Sequence, residues 1–175
     1  LKQQRLGKCI EEDDMQLVDL TITATGRALD SRAEEFLAEG RSRFASVDCF
    51  DFVPSDYELV WRTLDALPRG HFCEWGSGFG LVTGLAEFLG FQASGIELNA
   101  ELAAASRLLL AEFKLSAEIA TGSYFDQPCH ADVVFAYCWP SRIGATEEHF
   151  ARHAAPEAKL LICYGQSDIR CKALA

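Results

Sequence analysis

From Gly70 onward, short apolar runs alternate with stretches in which apolar side chains recur every three or four positions. The runs His71–Trp75, Phe91–Glu97, Ser116–Thr121, Asp132–Tyr137 and Lys159–Tyr164 are predicted to be strands. Between them, Phe79, Val82, Leu85, Ala86 and Leu89 mark the inward stripe of a helix over Gly78–Leu89. Asn99 is placed to cap a second helix reaching Lys114, and a third spans Thr146–Ala154, stopped before Pro156. The fourth run is nearly continuous in apolar residues, as a strand buried on both faces should be. Upstream, Leu29, Ala33, Phe36, Leu37 and Phe44 predict a helix within Gly26–Phe44. A better-signed helix follows, with Ser55 and Glu58 as a capping box and Pro68-Arg69-Gly70 as its end. Residues 1–20 hold the acidic run Glu11–Asp14 and little periodicity, so they are expected to form a loose, peripheral arm. The expected class is α/β, a doubly wound, mostly parallel sheet of at least five strands with helices on both faces. The expected division is an arm and helix over 1–50 and the α/β domain over 51–175.

Composition narrows the function classes. The chain has 175 residues, 49% of them hydrophobic, enough for one domain with a substantial core. Its 26 acidic against 16 basic residues give a formal net charge of -10, which argues against general nucleic-acid binding. No stretch approaches the roughly 20 apolar residues of a membrane span, so no membrane partner is expected. The seven cysteines include no C-x-x-C pair, and several sit in apolar runs. They are expected to be reduced thiols in a cytoplasmic protein. His149 and His153 share a helix face, but no further ligands complete a metal set, and both are expected to be exposed. His71 and Cys73 are expected to fill the core.

The candidate chemistry lies in Glu74-Trp75-Gly76-Ser77-Gly78-Phe79-Gly80, which joins the first predicted strand of the series to its helix. In doubly wound sheets, ligands bind beyond the carboxyl ends of the strands, where the strand order reverses. Gly76 and Gly78 satisfy the first two positions of the dinucleotide fingerprint G-x-G-x-x-G, but the third falls on Leu81. That side chain would crowd the helix against its strand. No Gly-Lys-Ser/Thr follows, so the P-loop is absent as well. An acid at Glu74 would be unwelcome beside phosphates. A second acid, Glu97, ends the next strand about 20 residues on, where a carboxylate can accept both hydroxyls of a ribose.

With these residues the chain resembles the Rossmann-like, class I S-adenosylmethionine-dependent methyltransferases, over roughly Phe52 to Tyr164. The resemblance implies S-adenosyl-L-methionine as cofactor. It implies that Glu74, Gly76, Ser77, Gly78 and Gly80 lie along its methionine and ribose portions, with Glu97 and Leu98 following at the ribose and adenine. The adenine site would be completed by Gly122, Ser123 and Tyr124, where the family commonly has Gly-Asp followed by an apolar residue. Tyr137 and Trp139, after the fourth predicted strand, would face the transferred methyl as the catalytic pair. Tyr137-Cys138-Trp139-Pro140 departs from the Asn/Asp-Pro-Pro-aromatic pattern of amino methylases acting on bases or glutamine, so base methylation is not expected. Val53-Pro54-Ser55 and Gly95-Ile96-Glu97-Leu98-Asn99 echo some protein lysine methyltransferases, and Val53–Ser55 would be a lid. The family adds an antiparallel strand pair after the fifth strand. Only 165–175 remain, so that pair is expected to be missing or abbreviated. The expected function is methyl transfer to an unidentified acceptor, a small molecule or a protein side chain. Two other readings stay open: a non-catalytic cofactor-binding or scaffold protein with the same fold, and a nicotinamide-dependent oxidoreductase disfavoured by Leu81. The oligomeric state is not legible in the sequence.

Overall fold

A computed structural model describes residues 16–47, 49, 52–128 and 130–175. The acidic run Glu11–Asp14, Cys9 and Cys129 lie outside the described residues. Seven strands form one sheet in the order β1-β7-β6-β5-β2-β3-β4. In chain order these are β1 (Leu17–Leu20), β2 (His71–Trp75), β3 (Gln92–Glu97), β4 (Glu118–Thr121), β5 (Val133–Ala136), β6 (Lys159–Gly165) and β7 (Asp168–Leu174). The helices are α1 (Ser31–Ser42), α2 (Tyr57–Asp65), α3 (Leu81–Phe88), α4 (Ala100–Glu112) and α5 (Ile143–His153). The five strands from β2 to β6 pair in parallel, and all four residues of β5 are buried. The chain runs outward from β2 through β3 to β4, then returns to the other side of β2 with β5. The strand order therefore reverses at β2, and a crevice opens beyond its carboxyl end.

The two faces of the sheet are covered unequally. The larger core gathers side chains of α1, α2, α3 and α4, among them Phe36, Trp61, Leu85 and Leu109, over Phe72 and Phe135. The smaller core sets Ile143 and Phe150 of α5 against Trp75, Val134 and Ile162. Gly40, the weak point of the first predicted helix, lies inside α1 because Leu81 and Leu109 of α3 and α4 press on it where a Cβ would stand. Leu81, the residue at odds with the dinucleotide fingerprint, thus packs into a notch that Gly40 leaves open.

Three local expectations differ from the structure. The cap of α2 is Asp56, whose carboxyl accepts from Leu59 N–H at 3.1 Å, rather than Ser55. Both residue types cap well, and the buried ring of Tyr57 is seated with that residue as the first in the helix. Residues 17–20, read as part of a loose arm, form an edge strand antiparallel to β7. The antiparallel pair expected to be missing or abbreviated is present, one strand from each end of the described chain. β7 turns back on β6, and β1 lies outside it. His149 is 8% exposed, packed near Trp75 and Phe125, while His71 is exposed and Cys73 buried.

Candidate functional site

The loop after β2 is shaped by its own backbone. The N–H groups of Gly76 and Ser77 both donate to Ile96 O, at 2.8 and 3.0 Å, which folds the loop against the end of β3. Gly78 has φ +53°, and the ring of Phe52 lies 2.7 Å from where its Cβ would stand. Gly80, with φ +71°, begins α3 from a left-handed conformation, and Ser106 of α4 occupies the place of its Cβ. At both positions a side chain would meet torsional strain and a close neighbour. Ser77 is buried, and its Oγ has no hydrogen-bond partner among the described residues.

The two acids occupy neighbouring strand ends with different partners. Glu97 Oε2 accepts from Gly78 N–H at 2.7 Å and Oε1 from Asn99 N–H at 2.8 Å. Its carboxyl thereby ties the loop after β2 to the start of α4, where Asn99 caps the helix. Glu74 is 5% exposed, and its Oε2 accepts both the amide (2.8 Å) and the hydroxyl (2.6 Å) of Thr83. Burial pushes the Glu74 carboxyl up to about 8, against the opposing pull of the Thr83 bonds.

These groups border a cavity of about 450 Å³. Its lining includes Glu74, Gly76, Ser77, Gly78, Glu97 and Leu98, with Tyr137 on the β5 side. Phe52, Val53 and Ser55 lie in the same lining, and Pro54 O accepts from the Gln166 amide at 3.2 Å. A smaller cavity of about 240 Å³ adjoins it, sharing Gly76, Glu97 and Leu98. Gly122, Ser123, Tyr124 and Arg142 complete that second lining. Leu98 separates the two with 72% of its surface exposed, an unusual position for a large aliphatic side chain unless something covers it.

The structure brings most of the sequence-predicted residues together. Gly80 is the exception among the loop residues, since it faces α4 rather than the cavity. Gly122 N–H donates to Glu97 O at 2.9 Å, and Ser123 Oγ accepts from Phe125 N–H at 3.1 Å. The Tyr124 ring stacks on Trp75 (5.0 Å, 6°), and its hydroxyl bonds Thr146 at 2.9 Å, so only part of it borders the small cavity. Trp139 is 47% exposed and lines neither cavity. Desolvation raises the Tyr137 phenol, which keeps it protonated at neutral pH. Sequence reasoning missed Thr83, Tyr57 and Arg142. Thr83 and Tyr57 read as ordinary helix residues until the fold sets them beside the cavity, and Arg142 sits in a loop with no motif.

No protein-family profile matches the chain, and no curated protein matches it in sequence. Solved structures do resemble it. An RNA methyltransferase from Salinibacter ruber, in complex with S-adenosyl-L-homocysteine, superposes with a TM-score of 0.60 at 19% identity, over 70% of this chain and 93% of that one. The O-methyltransferase from Bacillus cereus, also in complex with S-adenosylhomocysteine, gives 0.58 at 17% identity, over 77% of this chain and 66% of the other. The Podospora anserina methyltransferase PaMTH1, bound to the same molecule, gives 0.60 at 15% identity, over 78% and 63%. The chain has the Rossmann-like fold of the class I S-adenosylmethionine-dependent methyltransferases.

Proposed function

We propose that the chain is an S-adenosylmethionine-dependent methyltransferase that binds its cofactor across the two adjoining cavities. One observation carries the reading. The glycine loop after β2 and the buried carboxyl of Glu97 at the end of β3 open on one crevice at the point where strand order reverses. The residues fit the cofactor chemically. Ser77 Oγ is a buried hydroxyl still lacking a partner at the cavity wall. Each Glu97 oxygen uses one lone pair on a backbone amide and keeps another for a ribose hydroxyl. Leu98 offers an apolar face to adenine, with Gly122, Ser123 and Tyr124 at its edge. Gly76 and Gly78 let the nucleoside approach the main chain, Gly80 holds the helix start, and Glu74 faces the amino-acid end.

When bound, S-adenosylmethionine supplies a methyl group on a positively charged sulfur. The protein's part is to orient the acceptor and exclude water, since positioning and desolvation can supply much of the rate of such a transfer. Tyr137 and Trp139 are the proposed acceptor-side contacts. The acceptor is a small molecule or a protein side chain, and the net charge of -10 favours a cationic or neutral one. Residues 51–175 would carry cofactor binding, with 1–50 as arm and helix. The described cysteines are free, which fits a reducing compartment such as the cytoplasm, and no described helix is long and apolar enough to cross a membrane.

Calorimetric titration with S-adenosylmethionine, S-adenosylhomocysteine and NAD tests this reading. Binding of the first two, weakened by Glu97→Ala, is the expected result. Tight NAD binding with no response to the others overturns it. Cofactor binding by a protein whose acceptor side proves closed would favour the second reading, a binding or scaffold protein.

A further inference from the structure

The cavity holds an acid whose surroundings supply no positive charge. Glu74 is buried at its wall, and Thr83 of α3 satisfies only one of its carboxyl oxygens. The titratable groups that face it are Glu97 from β3, Tyr57 from α2 and Cys163 from β6. Tyr137 borders the same cavity from the segment after β5. Burial pushes the Tyr57 phenol up and the Cys163 thiol up to about 12, so both are neutral at physiological pH. No Lys, Arg or His is among the residues lining this cavity. The nearest cation on this side, Arg41 of α1, lies over the Tyr57 ring at 5.3 Å from its centre.

Resting on the cofactor reading above, we propose that Glu74 is a proton-coupled specificity residue, neutral in the empty cavity and ionised by the ammonium group of an amino-acid-bearing nucleoside. On binding, the carboxyl O–H bond breaks, the proton passes to solvent, and a buried carboxylate–ammonium pair forms. An isolated buried carboxylate is costly, whereas one paired and hydrogen-bonded is not. The coupling therefore rejects nucleosides without the ammonium: they cannot offset the cost of ionising Glu74, and they leave a protonated acid facing them. It also makes Thr83 a positioning residue, holding one carboxyl oxygen so that the other faces the ligand.

Two measurements test this on the intact protein, with Glu74→Gln as the near-isosteric variant. The first needs no ligand. A carboxyl raised from 4.5 to about 8 by folding stabilises the protein fully below pH 4.5, and that contribution is lost as pH rises through 8. Wild-type stability should therefore fall relative to Glu74→Gln between about pH 5 and 8. Parallel profiles would show Glu74 already ionised and overturn the proposal. The second is calorimetry at pH 7 in buffers of different ionisation enthalpy. S-adenosylhomocysteine should release close to one proton from the wild type and markedly less from Glu74→Gln. 5′-Methylthioadenosine, which lacks the ammonium, should bind the wild type more weakly and release none. Affinity for S-adenosylhomocysteine should approach a tenfold gain per pH unit below about 8, a slope absent from Glu74→Gln. Equal proton release from both proteins overturns the proposal. Diverging stability profiles with no nucleoside binding at all would instead reject the cofactor reading, and the coupling with it, by a different signature.

Discussion

β2 and β5 lie side by side, with Trp75 opposite Ala136, yet the segments that leave them are built on different terms. The segment after Trp75 is largely buried and held by its own amides, two on Ile96 O and one on the Glu97 carboxyl. The segment after Ala136 passes through half-buried Tyr137 and exposed Trp139 into a short turn begun at Pro140, with no side-chain cap. A ligand common to many proteins can be gripped by backbone geometry, which demands glycine and a buried acid. An acceptor peculiar to one protein must be met by side chains on an open loop.

The sharpest way to break this contrast is Glu97→Ala. It leaves the Gly78 and Asn99 amides without their acceptor, at about 1–3 kcal/mol per buried donor left unsatisfied. Chemical denaturation should register that loss, and titration should show S-adenosylhomocysteine binding at least about tenfold weaker, or about 1.4 kcal/mol. Next in size, Gly80→Ala forces a Cβ into a left-handed conformation against Ser106, with a strain of about 1–3 kcal/mol. Adding Ser106→Ala should recover part of the lost melting temperature, because that hydroxyl has no partner among the described residues. If it recovers nothing, the strain lies in the torsion alone. Ser77→Ala should leave the ligand-free protein as stable or slightly more so, since it removes an unsatisfied buried hydroxyl. It should weaken S-adenosylhomocysteine a few-fold, and unchanged affinity would remove Ser77 from the ligand's contacts. Trp139→Ala should have the smallest effect, within about 0.5 kcal/mol of wild-type stability and with cofactor affinity unchanged. A large loss of cofactor affinity there would erase the distinction between the two segments.

The same contrast explains what was readable. Asn99 announces the cap of α4 because its side chain bonds amides two and three residues away. The positive φ angles of Gly78 and Gly80 are likewise local, and glycine is the residue that accepts them. Ser55 and Asp56 were harder to separate, since both are good caps and the choice follows the seating of Tyr57. Thr83 carries no local mark of its role, because its partner Glu74 is nine positions away on another element.

By itself, then, the order of residues determined the alternation of strands and helices, the glycine loop and the two acids at strand ends. Each is a matter of period, torsion or residue type within a few positions. Only the tertiary structure decided that Leu17–Leu20 closes the sheet against β7, that Gly40 receives Leu81, and that Glu74 meets Thr83 and no cation. A four-residue strand has too few side chains to show a period, and its pairing depends on backbone groups more than 150 positions away. The charge state of a buried acid depends on every element packed around it, and that surrounding exists only once the chain has folded.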